Sequence, residues 1–155
     1  EFLTEANAHW DFCNPPMQIL GGKWTDCEHV EWAYVHHTSV KVVPTFKTDI
    51  TTASLLKYTI NSWLATKVTF MNELKNLFDA SDAEASWDQF TDMLSRDERI
   101  GNSHMQVPGP DRMKGFGGHC FPKDTKGLIH YAHEQQVLLT VLMQAVNANE
   151  SMRDE

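Results

Sequence analysis

The chain has 155 residues, 41% of them hydrophobic, and its 21 acidic and 13 basic side chains give a net charge of −8. A chain of this size fits one domain or parts of two and is long enough to bury a sizeable core. Its Lys and Arg residues are scattered, it has no apolar run near the ~20 residues of a membrane span, and it shows no signal peptide; the reading is a cytoplasmic protein partnered by neither nucleic acid nor membrane.

Residues 1–48 read as a small α/β piece, with a loop and short helix around Leu3 to His9, a strand near Met17 to Leu20, a helix near Cys27 to His37 and a strand near Val40 to Phe46. Gly21-Gly22 and Pro44 punctuate it. From Asp49 to about Asp79, Ile50, Ala53, Leu56, Ile60, Leu64, Val68, Met71, Leu74 and Phe78 recur at three- and four-residue steps, which predicts one long helix capped by Thr48 or Asp49. At 1.5 Å per residue it would run about 45 Å, longer than one small domain needs. Its surplus apolar surface, including Trp63 and Phe70, suits packing against a second copy of itself.

Ser81-Asp82-Ala83-Glu84 predicts a capping box opening a short helix whose Trp87, Phe90 and Leu94 share a face, ended by Arg96 to Arg99. Residues 101–119 carry Gly or Pro at 101, 108, 109, 110, 115, 117 and 118 and predict a long loop, which in a compact domain is usually functional. Two helices follow, about Asp124 to Glu134 and Val137 to Asn149.

The loop ends in Gly115-Phe116-Gly117-Gly118-His119-Cys120-Phe121-Pro122-Lys123-Asp124. Its glycines permit φ > 0 and close approach of a ligand, and Pro122 suits the first position of a helix. Cys120 would then lie beside free helix N–H groups, which favour thiolate and make it the best-placed nucleophile in the chain. Lys57 and Asn61, four apart on the long helix, share a face and form either a solvated stripe or part of a site. Metal binding is the competing reading, from His36-His37, Cys27-x-His29 and His119-Cys120, but none has paired CxxC or HxxxH spacing, so no metal is expected. Three cysteines form no paired framework and suit a reducing compartment. A cysteine hydrolase built on Cys120 and a histidine lacks a local signature.

GFGGHCFPKDT resembles the catalytic-cysteine motif of the UDP-glucose/GDP-mannose dehydrogenase family. Glu1-Phe2-Leu3-Thr4-Glu5-Ala6-Asn7-Ala8 resembles that family's EFLxEG/N-A motif, and Lys57 to Asn61 through Asn72-Glu73 its KxxxN…LAxKxxFxNE helix. Phe121 is more like the UDP-glucose branch, although Val107 to Lys114 is longer than in that branch. The resemblance implies a mainly α fold: residues 49–155 as a helical central dimerisation domain, and residues 1–48 as the end of an NAD-binding Rossmann-like domain. No GxGxxG follows a strand, so the dinucleotide fingerprint is missing and the chain looks like an excerpt.

The implied activity is oxidation of the C6 alcohol of a nucleotide sugar, UDP-glucose, to the acid in two steps with NAD. Cys120 carries a thioester, Lys57 and Asp124 with a water act as base and alkoxide stabiliser, Asn61 is an oxyanion donor, and Glu1 positions the hydrolytic water. Phe2, Leu3, Phe116 and Gly117 match substrate-lining positions. Arg99 matches an arginine that reaches the sugar site of the neighbouring subunit of a homodimer or higher oligomer, where the bland reading is a helix C-terminal cation. Glu5 and Lys123 match positions near the nicotinamide. The alternatives are another nucleotide-sugar 6-dehydrogenase, such as one acting on GDP-mannose, and a non-catalytic dimerisation fragment.

Overall fold

The computed structural model describes Leu3 and residues 7–154, and the chain divides into two compact units, residues 1–57 and 58–155. It is mainly helical, as the periodicity predicts. The positions expected of Glu1, Phe2 and Glu5 lie outside the described residues.

In the first unit, α1 (Ala8–Cys13) precedes a βαβ arrangement of β1 (Gln18–Gly21), α2 (Trp24–His37) and β2 (Thr45–Thr48). The strands pair in parallel with Gln18 opposite Thr45 and Gly21 opposite Thr48, a pairing that requires a crossover, here α2. The expected strand from Val40 begins only at Thr45. Pro44 has no N–H to donate and serves only as an acceptor, from Gln18 N at 3.0 Å. The short first helix lies at Ala8–Cys13 rather than Leu3 to His9, and α2 starts at Trp24, before Cys27. Cys27 is buried and its thiol donates to Leu20 O at 3.5 Å, while Lys47 pairs with Glu31 at 2.7 Å and lies over the Trp24 ring.

The long helix α3 (Ile50–Asp79) begins in this unit and continues through the second. Asp49 caps it as expected, accepting from Thr52 N at 2.9 Å and Thr52 Oγ1 at 2.6 Å. The apolar stripe is buried only in part: Met71 lies in the core and Val68, Leu74 and Phe78 pack against the buried clusters. Ser62, Ala65, Thr69, Met71 and Asn72 are buried, whereas Ile50 and Leu56 are exposed. Small side chains there admit close neighbours: Thr69 Oγ1 reaches Ala145 O at 3.3 Å.

The second unit adds α4 (Trp87–Ser95), α5 (Cys120–Glu134) and α6 (Thr140–Arg153). One buried cluster joins Met71, Trp87 and Met105 with Phe78, Phe90 and Leu94 around it; the other joins Ala65, Phe116 and Val146 with Val68, Phe121 and Ile129. The loop between α4 and α5 thus donates Met105 to one cluster and Phe116 to the other, each such side chain contributing about 1.5–3 kcal/mol on burial. That anchorage is why so long a loop holds one course.

Three boundaries differ from expectation. The capping box is Ser86 with Gln89, not Ser81 with Glu84: Gln89 N donates to Ser86 Oγ at 3.1 Å, and Ser86 N to Gln89 Oε1 at 2.9 Å. The second box stands directly before the apolar residues that must turn inward together. Helix α5 starts at Cys120 rather than Asp124, placing Pro122 at its third position, where the N–H would have no intrahelical partner. Finally, α6 starts at Thr140 because α5 ends in a Schellman turn, with Gln136 at φ 59°, Gln136 N donating to His133 O and Val137 N to Ala132 O.

Ser86→Ala is expected to cost about 1 kcal/mol of stability and Ser81→Ala less than about 0.5 kcal/mol. Chemical denaturation of the two variants measures the difference, and equal losses would return the cap to Ser81.

Candidate active site

Cys120 opens α5 with an exposed thiol. One turn later, on the same face, Asp124 has no exposed surface. A carboxylate so placed requires donors, and Asn61 Nδ2 from α3 supplies one at 2.5 Å while Lys123 Nζ supplies another to Oδ1. The Lys123 ammonium also lies over the Tyr58 ring and is 55% exposed. Its pKa is raised above the ordinary 10.5, chiefly by its hydrogen bond to Asp124, with the charges of Tyr58 and Cys120 adding to the effect. Thr125, also fully buried, donates to Phe121 O at 2.7 Å and closes the first turn of α5. Asn61, Asp124 and Lys123 are therefore brought together, with Cys120 one turn before Asp124 on α5. Lys57, one turn before Asn61 on α3, is half-buried and belongs to the first unit.

The turn leading to Cys120 is held by groups that periodicity did not single out. Asn72 Oδ1 accepts from Gly115 N at 3.1 Å; Asn149 accepts from Phe116 N at 2.6 Å and donates to Phe116 O at 3.0 Å. Gly115 sits at φ +71°, and a Cβ there would lie 2.4 Å from Asn149 Oδ1, so glycine is required on both counts. Arg153 donates to Asp111 Oδ2 at 2.7 Å and to Lys114 O at 3.3 Å, and its guanidinium covers the face of Gly117. At the start of the same loop, Lys67 Nζ donates to Ile100 O and Gly101 O, and burial lowers its pKa. His104, at φ 60°, faces the Phe121 ring, and desolvation together with the Lys67 charge pushes its imidazole below 6.5. The signal available in sequence for the holders was a carboxamide inside an otherwise helical stretch, at Asn72 and Asn149, where such residues are disfavoured unless they bond elsewhere.

The remaining expected positions separate. The Phe116 ring packs in the core and Asn149 takes both its main-chain polar groups, and Phe116, Gly117 and Gly118 together line the adjoining groove of about 490 Å³ with Pro122, Lys126 and Asn149. Leu3 lies beside a different cavity of about 540 Å³ in the first unit, with Phe12, Met17 and Tyr34. The Arg99 side chain is 88% exposed and its hydrogen bonds among the described residues go to Asp97. His36 and His37 pack on the Trp32 ring, and among the described residues no three His, Cys, Asp or Glu side chains cluster as metal ligands.

The Gly21-Gly22 turn between β1 and α2 is the nearest approach to a dinucleotide cradle, and it does not fit one. A Cβ on Gly21 would lie 2.6 Å from the Ala53 Cβ, so this glycine makes room for protein rather than for a pyrophosphate, while one on Gly22 would meet the Cys27 sulfur at an ordinary 3.6 Å.

The family model described as UDP-glucose/GDP-mannose dehydrogenase family, central domain, matches residues 51–151. The UDP-glucose 6-dehydrogenase TuaD of Bacillus subtilis (strain 168) is 30% identical over 99% of this chain and 31% of its own length. The GDP-mannose 6-dehydrogenase of Pseudomonas putida (strain KT2440) is 32% identical over 97% of this chain and 33% of its own. A solved UDP-glucose dehydrogenase from the hyperthermophilic archaeon Pyrobaculum islandicum superposes with a TM-score of 0.82 at 28% identity, covering 97% of this chain and 33% of that one. The chain thus spans about a third of the length of the curated relatives it matches.

The Asp111 carboxyl is held below its ordinary 3.8, first by its hydrogen bond to Arg153. A depressed carboxyl contributes stability that is present above 3.8 and lost as pH falls through the folded value. Asp111→Asn is therefore expected to melt below the parent at neutral pH, with the gap closing on acidification below 3.8. Melting temperature followed against pH checks the sign.

Proposed function

The chain belongs to the UDP-glucose/GDP-mannose dehydrogenase family, and from that premise we propose that it forms the thiol-bearing central part of an NAD-dependent dehydrogenase. The substrate is a nucleotide sugar, UDP-glucose, whose C6 alcohol is oxidised to the acid of UDP-glucuronate in two steps. The observation that carries this reading is the exposed Cys120 thiol one helical turn from Asp124, a buried carboxylate bonded by Asn61.

In the first oxidation the alcohol loses its hydroxyl proton and a hydride from C6. Asp124, through a water it holds, takes the proton, and Lys57 as the ammonium offsets the developing alkoxide charge. The sulfur of Cys120 then forms a bond to the aldehyde carbon, and the Asn61 amide is the donor toward the resulting oxyanion. Loss of a second hydride from this adduct leaves a thioester. Water, positioned by Glu1, adds to the thioester carbonyl, the carbon–sulfur bond breaks, and the thiolate is regenerated with the acid released.

Both hydrides need an acceptor, which is the chemistry NAD supplies in this reading. The Gly21-Gly22 turn does not cradle it, and the relatives' greater length leaves room for a dinucleotide-binding part elsewhere in the enzyme. Glu5 and Lys123 are proposed to border its nicotinamide. Near-equal identity to UDP-glucose and GDP-mannose enzymes leaves Phe121, the residue shared with the UDP-glucose branch, as the feature favouring UDP-glucose. A cytoplasmic location fits three free cysteines, and no helix among the described residues is long and apolar enough to cross a membrane.

The enzyme is further proposed to be a homodimer, or a higher oligomer, through α3. Trp63, Phe70 and Leu77 recur every seven residues along that helix and are 67%, 59% and 66% exposed, a row of large apolar groups that a second copy would cover. Arg99, held to Asp97 at the surface, is proposed to reach the sugar site of that second copy.

In the complete enzyme, Cys120→Ala is expected to stop acid formation while sparing nucleotide-sugar binding, and Lys57→Ala to slow the first oxidation as well, by at least tenfold. Quenched-flow measurement of NADH and acid separates the two steps. Sedimentation at micromolar concentration is expected to show a dimer or larger, and a Trp63→Glu/Phe70→Glu variant to shift it toward monomer.

A further inference from the structure

Two hydrogen bonds from a single carboxamide to the two polar groups of one residue are an unusual investment, and here the residue is Phe116, four positions before Cys120. Asn149 is buried in α6, which packs against α5, and Asn72 on α3 takes the preceding amide at Gly115. The Phe116 ring is packed against Ala65 and Val146 and needs no polar help to stay buried. What the carboxamides secure is the path of the main chain between a residue at φ +71° and one at φ +72°, Gly115 and Gly118, glycines whose own torsions would otherwise be free to re-route it.

From this geometry we infer that Asn149, aided by Asn72, is a positioning residue for the Cys120 thiol. The clamp fixes where the Gly117-Gly118 turn enters α5, and hence where the sulfur and the open turn amides stand when an aldehyde carbon arrives. This inference rests on the nucleophile assignment of Cys120. A near-attack arrangement tolerates displacements well under 1 Å, so a carboxamide that sets the turn acts on the thiol step without touching substrate.

The clamp has a composition that can be taken apart. Asn149→Asp keeps the shape and the acceptor for Phe116 N–H but removes the donor to Phe116 O. Asn149→Leu removes both bonds. Asn149→Ser retains a short hydroxyl able to donate and accept, but too short to span both groups.

The experiment uses the complete enzyme with UDP-glucose and NAD, and compares these three variants and Cys120→Ala with the parent. Three quantities are read: cooperative melting by circular dichroism, kcat and KM for acid formation, and the rate of Cys120 alkylation by iodoacetamide, resolved by peptide mass spectrometry with Cys13 as the control on the same chain. The expected result is a cooperative melt in Asn149→Asp, kcat for acid lowered at least tenfold with KM for the nucleotide sugar within threefold, and a Cys120 alkylation rate changed at least threefold while that of Cys13 is unchanged.

A cooperatively melting Asn149→Asp or Asn149→Ser that keeps the parent kcat and Cys120 alkylation rate overturns the inference, provided Cys120→Ala makes no acid. If Cys120→Ala makes acid at the parent rate, the nucleophile assignment has failed and the inference falls with it. If all three Asn149 variants lose the cooperative melt, the clamp serves the fold alone and the inference is overturned on that ground.

Discussion

A carboxylate with no exposed surface can persist only where donors replace the water it has lost, and the arrangement of the second unit follows from meeting that demand at Asp124. Asn61 brings a donor from α3 and Lys123 one from α5 itself, so the two helices are tied at this point. Because Asp124 sits one turn into α5, the tie also fixes the end of that helix from which Cys120 projects. Removing either donor would leave a buried charge undersatisfied, a larger loss than the few tenths of a kcal/mol expected of an exposed pair such as Arg96–Asp92.

The same requirement, applied to the backbone, explains the rest of the turn. A glycine-rich segment that enters the interior carries amide and carbonyl groups with no helix or sheet to receive them. Asn72, Asn149 and Arg153 receive them, and the last two can do so only because a glycine lies beside each: Gly115 beside Asn149, Gly117 beside Arg153. The buried residues of α3 correspondingly include, beside Met71, Ser62, Ala65, Thr69 and Asn72, which let chain and neighbouring helix come close. Its large apolar groups, Trp63, Phe70 and Leu77, stand on the surface.

Family membership and these contacts bear on different questions. The match over residues 51–151 places the chain among nucleotide-sugar dehydrogenases, and similar identity to enzymes named for different sugars leaves the choice between them to a few side chains. The contacts address how a chain spanning about a third of its relatives' length holds the turn before an exposed thiol in place.

Much of this was legible in the residues themselves. The apolar steps from Ile50 to Phe78 determined one long helix, Asp49 determined its cap, and the run from Gly115 to Asp124 marked a turn delivering a cysteine to a helix. These are local signals, because helix formation and capping depend on neighbours within four residues. Periodicity did not mark Ser62, Thr69 and Asn72 as buried beside Met71, since it reports that an apolar face exists and not what packs on the rest of the helix. It likewise placed the start of α5 at Asp124, because nothing local distinguishes the first turn from the loop that feeds it. Only the tertiary structure decided that Phe116 belongs to the core and that Asn72 and Asn149, 43 and 33 residues away in sequence from the amides they hold, set the turn's course. A bond between residues so distant in sequence leaves no spacing to read, and it comes into being only when the helices that carry its two ends have packed.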